Sequence, residues 1–221
     1  MRGSTTAGHS QQVVLSVLAR APEFGCVKSR LARHIGAPQA LRIHIELLRH
    51  NLRVARDAEC DVELVAAGNL SHPLLQRLAD EHDIPLLGQS DGDIGARMLA
   101  AARRQASIGR KSLIVGSDCA VMNKDYLNEA ANRLRQGARI LFGPAEDGGY
   151  VLVGQSRVVP AAFERVTWGS EHVMQQTREA LTAAGIEWEE LATLWDIDTV
   201  ADLRRWRKIS AGCSYPSLPA P

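Results

Sequence analysis

The sequence predicts an α/β fold, a three-layer α/β/α sandwich built on a mainly parallel central sheet. Three observations predict it. Apolar runs of strand length alternate with amphipathic stretches of helical period along the chain, the pattern of a parallel sheet covered on both faces. In the stretch Lys111 to Asp118, KSLIVGSD, a short run of apolar, mostly branched residues reads without alternation, as a strand buried on both faces must, and stops abruptly at Gly116-Ser117-Asp118-Cys119. Glycine-rich segments carrying carboxylates or cations follow several of these runs, and the carboxyl ends of strands are where an open α/β sheet gathers its ligands.

A chain of 221 residues suits one domain, expected over 12–209 between flexible ends at 1–11 and 210–221. With 45% hydrophobic and 23% charged residues, a disordered or fibrous class is excluded. A formal charge of +1 and an aromatic content of 5% lack the basic field and stacking surfaces of nucleic-acid binders, so a small molecule is the expected partner. Cys26, Cys60, Cys119 and Cys213 form no C-x-x-C pair, which fits reduced thiols in a cytoplasm rather than zinc or disulfides. No apolar stretch approaches the roughly 20 residues that span a bilayer, and the start MRGSTTAGHSQQ lacks the apolar centre of a signal peptide.

In chain order, VVLSVLA at 13–19 forms the first buried strand, and Pro22 and Gly25 force the loop after it. A helical pattern opens at Lys28 and Arg30. A loop that ends at a helix N-terminus offers backbone N–H groups to an anion, and two cations beside it strengthen a hold on phosphate. Without a ligand the same pair is solvated surface charge. Pro38 suits the first turn of a helix over 38–57, with Leu41, Ile45, Leu48, Leu52 and Ala55 as its apolar face and His44 and His50 at the surface. A strand over 61–67, a helix over 72–82 and a short strand over 84–87 follow.

Gln89-Ser-Asp91-Gly92-Asp93-Ile-Gly95-Ala-Arg97-Met98 is a glycine-rich, acidic turn that opens a helix ending near Gly109. Capping accounts for Asp91 or Asp93, while Gly92 and Gly95 leave room for a planar ligand against the backbone. Asp118, at the sheet rim, is either a helix cap or a ligand for a hard divalent cation. A helix over 123–136 and a strand over 138–142 lead to Gly143-Pro-Ala-Glu146-Asp147-Gly148-Gly149-Tyr150 and a strand over 151–153. Asp147-Gly148-Gly149 reads as a hairpin turn, or as a binding loop given its glycines and carboxylates. Trp168-Gly-Ser170 precedes a helix over 171–184, with Ser170 as its cap and Glu171 and His172 exposed. Asp196 and Asp198 alternate around Ile197, which puts both carboxylates on one side of an extended segment, and Thr199 caps a last helix together with Asp202.

Five motifs occur in one order: A-R-x-P-x-x-G-x-x-K-x-R-L at 19–31, G-D-x-G-x-R-M at 92–98, G-S-D-C at 116–119, G-P-x-x-D-G-G-Y at 143–150 and D-x-D-T-x-x-D-L at 196–203. Together they resemble a family of GT-A-fold, nucleotide-diphospho-sugar transferase-like proteins, some assigned as glycosyltransferases of arsenosugar biosynthesis. A more distant similarity runs to 2-phospho-L-lactate guanylyltransferase and related nucleotidyltransferases. The resemblance spans about Val13 to Leu203, and it departs from the family pattern at Ala120, where proline is usual, and at Ser29, where threonine is common.

The resemblance implies that Lys28 and Arg30 hold a triphosphate as exposed ligands and that Asp118 and Asp198 hold Mg2+ or Mn2+, with Asp196 orienting a ligand beside them. Arg20, Gly25, Gln89, Gly92, Asp93, Arg97 and Ser117 complete the expected nucleotide site. Asp147, Gly148, Gly149, Tyr150 and Trp168 form the expected acceptor side, and Lys28, Arg30, Asp118 and Asp147 the catalytic set. Without metal, Asp118 and Asp198 should repel each other, so that removing one relieves the empty protein. The expected reaction is nucleotidyl transfer from a nucleoside triphosphate to a small phosphate, phosphonate or carboxylate, because two cations suit a triphosphate. Glycosyl transfer from a nucleotide-sugar is the alternative, and a non-catalytic nucleotide-binding module a third reading. No nucleic-acid or membrane partner is expected, and a homodimer is compatible with the sequence.

Overall fold

The computed structural model describes residues 12–210. Of the ends expected to be flexible, 1–11 and 210–221, all but Ser210 lie outside the described residues, and Cys213 with them. Unbroken apolar runs make the centre of the sheet: β1 (Val13–Arg20) and β4 (Lys111–Gly116) lie side by side and parallel, with Leu18 opposite Gly116. β2 (Asp61–Ala67) and β3 (Leu86–Gly88) continue the parallel sheet on one side of β1. On the other side stand β6 (Tyr150–Gln155), β5 (Ile140–Pro144) and β7 (Glu189–Glu190), giving the order β3-β2-β1-β4-β6-β5-β7. Only β6 is reversed, antiparallel to both β4 and β5. The chain thus leaves β1 towards β3 and returns on the opposite side at β4. Crossovers diverge between those two strands, and a crevice opens at their carboxyl ends.

Alternation along the strands sorts the core into two layers. Leu113 and Val115 face α2 (Ala37–Arg56), α3 (Pro73–His82) and α5 (Lys124–Gln136), meeting residues such as Leu52, Leu75 and Leu127. Ile114 faces the other way, towards Met98 and Ala102 of α4 (Ile94–Ser107) and Met174 of α6 (Val173–Ala183). A third cluster joins α1 (Ser29–Ile35), α2 and α7 (Val200–Ser210) through Leu31, Ile43, Trp195, Ile197 and Trp206. That cluster locks the loop after β1 to the segment before α7.

Because α2 is covered on two sides, its buried face is wider than the sequence stripe. Ile43 and Leu47 are buried while Leu41 and Ile45 are half-buried. His44 and His50, expected at the surface, are 3% and 7% exposed. His44 Nε2 lies 3.0 Å from the Arg20 carbonyl oxygen, and the His50 ring packs against Trp206. Ser170 is not the cap of α6, which starts at Val173. Its hydroxyl instead donates to the Thr167 carbonyl and accepts from the His172 N–H, closing a turn ahead of the helix. The capping pair of α7 forms as expected, with Asp202 Oδ2 accepting from Thr199 N at 2.7 Å and the Asp202 N–H donating to Thr199 Oγ1 at 3.2 Å.

Helix α4 is fixed to the sheet by one buried carboxylate. Glu63 accepts from Ser16 on β1, from both terminal nitrogens of Arg104 at 2.7 and 2.5 Å, and from Gln105 Nε2 at 3.0 Å. Burial alone would raise the Glu63 pKa, but the Arg104 and Ser16 bonds outweigh it and hold the carboxyl below the usual range. A depressed pKa contributes stability above the unfolded value that is lost as pH falls. Glu63→Gln is therefore expected to cost about 2 kcal/mol at pH 7, a fall of roughly 4–8 °C in Tm by calorimetry. The difference should shrink below about pH 4.

Candidate active site

The carboxyl end of β1 leads through Pro22 and Gly25 to Lys28, the N-cap of α1, which sits in the left-handed region at φ 49. That conformation is strained for a residue with a side chain, and such strain is held only where surroundings enforce it. Here the enforcement is ionic. The Lys28 side chain is 3% exposed, and its Nζ lies 2.9 Å from Asp198 Oδ1, 3.0 Å from Asp118 Oδ1 and 2.6 Å from the Ile197 carbonyl oxygen. Burial by itself would lower the lysine pKa, yet the two aspartates outweigh it and the net shift is upward. The structure thus corrects two expectations. Lys28 is not an exposed loop cation, and Asp118 and Asp198 do not face each other uncompensated.

Each carboxylate reaches this point for a local reason. Asp118 follows the last residues of β4, and Asn51 of α2 holds the turn by donating to the Ser117 carbonyl at 3.1 Å. Asp198 is placed by Ile197, which is fully buried in the third cluster while its N–H donates to the Asp118 carbonyl at 3.1 Å. With Ile197 pointing inward, Asp196 and Asp198 share the opposite side and both border the same cleft, as their spacing implied. Asp196 is pushed up to about 8, first by burial and then by the charge of Asp118. Among the described residues no group of three or more His, Cys, Asp or Glu is gathered to hold a metal ion.

Two clefts meet at the rim. One, of about 460 Å3, contains Arg20, Lys28, Ser29, Arg97, Ser117 and Asp118. Gln89 shapes it by donating to the Ala19 and Val65 carbonyls, both at 2.9 Å, and accepting from Arg97 Nη1 at 3.3 Å. The other, of about 540 Å3, holds Asp147, Gly149, Tyr150, Trp168, Asp196 and Asp198. Arg30 borders this second cleft and not the first, so the Lys28–Arg30 pair is divided between them. Gly25, Gly92 and Asp93 border neither cleft. Asp93 Oδ1 accepts from Ala96 N at 2.8 Å, so Asp93 caps α4.

The Asp147 loop is both a hairpin turn and a cleft wall. Gly148 has φ 87, and a Cβ there would lie 1.9 Å from the Glu171 carbonyl oxygen, so only glycine fits. Asp147 Oδ1 accepts from Gly149 N at 3.0 Å. At Gly95 the planar group seated on the backbone is the chain's own Trp168, whose ring would be 2.3 Å from an added Cβ. Sequence reasoning missed Asn51, although an amide at a buried helical position in α2 is the signal that could have found it. It also missed the Ile197 carbonyl, which no side-chain pattern reveals.

This fold, with carboxylates at the switch between β1 and β4, is that of nucleotide-diphospho-sugar transferase-like proteins of the GT-A type. More particularly, the chain belongs to the family described as "uncharacterized protein conserved in bacteria (DUF2064)", whose model matches residues 48–170, over half of the chain. A provisionally described nucleotide-diphospho-sugar transferase from Desulfovibrio desulfuricans G20 is similar at 26% identity and TM-score 0.83, covering 91% of this chain and 89% of that one. A cytidylyltransferase from Leptospira borgpetersenii serovar Hardjo-bovis shares the fold at 14% identity and TM-score 0.61, over 91% and 87% of the two chains. So does the manganese complex of Rv0371c from Mycobacterium tuberculosis H37Rv, at 18% identity and TM-score 0.54, over 88% and 97%. No curated protein matches the chain. No helix among the described residues is long and apolar enough to cross a membrane.

Two predictions follow from the ion cluster. Asp198→Asn leaves the Lys28 ammonium buried with weaker compensation, so it is expected to lower the Tm of the empty protein by several degrees in a thermal melt. Asp196→Asn acts in the opposite sense. A folded pKa raised above the unfolded value contributes stability that is complete below about pH 4 and lost as pH rises towards about 8. The variant, already neutral, should match wild type at pH 4 and exceed it at pH 8 by on the order of a few kcal/mol in denaturant titrations.

Proposed function

We propose that the chain is a divalent-cation-dependent transferase that moves a nucleotidyl group from a nucleoside triphosphate to a small acceptor. The observation that carries this reading is the convergence of Asp118 and Asp198 on a single positive charge, Lys28 Nζ, where a cation-rich cleft meets an acid-lined one. The residues fit a metal ion. The two carboxylates are 38% and 39% exposed, and Asp118 Oδ1, although close to Nζ, is sealed from solvent without an aligned hydrogen-bond donor. Mg2+ asks for one or two carboxylates and takes its other ligands from water and substrate phosphates. Asp118 and Asp198 would hold the ion, which when bound supplies charge neutralisation to the phosphates.

Arg20 and Arg97 bind the triphosphate in the first cleft, and Lys28 meets it at the carboxylate end. The acceptor lies in the second cleft and attacks the α-phosphorus in line. A new O–P bond forms as the bond to the bridging oxygen of pyrophosphate breaks, and that oxygen leaves with the electron pair. The acceptor proton passes to Asp147. Positioning and charge stabilisation supply the rate, with no covalent intermediate. The second reading, glycosyl transfer with release of a nucleoside diphosphate, is favoured by the 26% identical relative and by the withdrawal of Lys28 from the exposed loop.

Thermal shifts with the four nucleoside triphosphates and with UDP- and GDP-sugars, each with and without Mg2+ or Mn2+, test the proposal. A triphosphate at 100 times its Kd should stabilise the protein by about 2.7 kcal/mol, and only with metal. Asp118→Asn should abolish that gain, and Arg97→Ala should weaken it about tenfold in Kd. Stabilisation by nucleotide-sugars alone, with nucleoside diphosphate as the product, would establish the second reading instead.

A further inference from the structure

We infer that the acceptor is an uncharged or positively charged alcohol with an apolar, ring-sized body, rather than the phosphate, phosphonate or carboxylate expected from the sequence. This rests on the transferase reading above for the word acceptor. The cleft itself carries the chemistry. Its volume of about 540 Å3 is that of a small-molecule site. Its floor is apolar, formed by Leu18, Ile94, Met98, Ile114 and Val153. One wall is aromatic: Tyr150 meets Trp168 edge-on at 6.2 Å between centroids, and Phe163 stacks behind Trp168 at 6.4 Å. A planar or branched hydrocarbon body fills such a space.

The charges sort by cleft. Beside the apolar floor stand the carboxylates of Asp147, Glu171 and Asp198, against Arg30 as the one cation bordering this cleft among the described residues. Lys28 lies in the neighbouring cleft and is shared between Asp198 and Asp118. The first cleft has the opposite balance, with Arg20, Lys28 and Arg97 beside Asp118. A polyanionic nucleotide is thus drawn to one side, while an anionic acceptor would enter a low-dielectric space edged with carboxylates. A neutral or cationic one meets no such opposition. The Tyr150 hydroxyl supplies a second, independent mark. Tyr150 lines this cleft, and its hydroxyl oxygen is sealed from bulk solvent with no hydrogen-bond partner among the described residues. A buried hydroxyl is ordinarily paired, and an alcohol oxygen on the ligand would pair it.

Three probes that share one phenolic body and differ in charge test the inference: tyramine, 4-ethylphenol and 4-hydroxyphenylacetate, titrated into the full chain by calorimetry at pH 7. Tyramine and 4-ethylphenol are expected to bind at least tenfold more tightly than 4-hydroxyphenylacetate. The double substitution Asp147→Asn with Glu171→Gln should weaken tyramine about tenfold more than it weakens 4-ethylphenol, and Trp168→Leu should weaken both. Equal or tighter binding of 4-hydroxyphenylacetate would overturn the inference, as would failure of all three to bind a chain that is folded by circular dichroism. If the probes sort by charge while no nucleotide shifts the Tm, the cleft assignment stands and the transferase reading falls.

Discussion

One buried ammonium organises the rim of this sheet. Lys28 Nζ joins three segments distant in the chain, its own loop after β1, the turn after β4 and the stretch before α7, by meeting Asp118 and Asp198 at once. Buried charges persist only when paired and hydrogen-bonded, and here the Ile197 carbonyl supplies the third contact. The strained backbone of Lys28, the buried Ile197 and the α1–α2–α7 cluster all serve the same placement. The arrangement keeps a positive charge between two carboxylates.

Strand order then decides what can approach that charge. Divergence of the crossovers between β1 and β4 opens the crevice, and Glu63 pins α4 so that Arg97 and Gln89 edge one half of it. The Asp147 turn and Trp168, seated on Gly95, edge the other half. Two clefts of opposite charge balance on either side of one ion cluster suit a reaction between a polyanion and a partner that is not one.

The sheet was legible in the sequence because its signals are local. Apolar runs at 13–19 and 61–67 became β1 and β2 almost residue for residue, and the run that stops at Gly116 within 111–118 became β4. The carboxylates of the rim were legible for the same reason, since Asp118 ends a strand and Asp196 and Asp198 straddle a buried isoleucine. What was hidden depends on contacts between distant segments. His44 and His50 read as surface residues because nothing along α2 announces that α1 and α7 cover its second side. Lys28 read as an exposed phosphate ligand because its partners lie 90 and 170 residues away. The orientation of Arg30, towards the cleft opposite the one expected, is set by the turn of a seven-residue helix.

The single reversed strand has a further consequence for how such a protein can change. Because β6 runs against its neighbours, the turn from Ala145 to Gly149 returns to the rim as one uninterrupted hairpin. The cation-rich side, by contrast, is assembled from several crossovers whose geometry the whole sheet enforces. Loop tips tolerate insertion far better than packed crossovers do. A lengthened or recharged hairpin could therefore re-tool the acid-lined cleft in a descendant protein while the cation-rich cleft stayed intact, making the two halves of the rim separately evolvable.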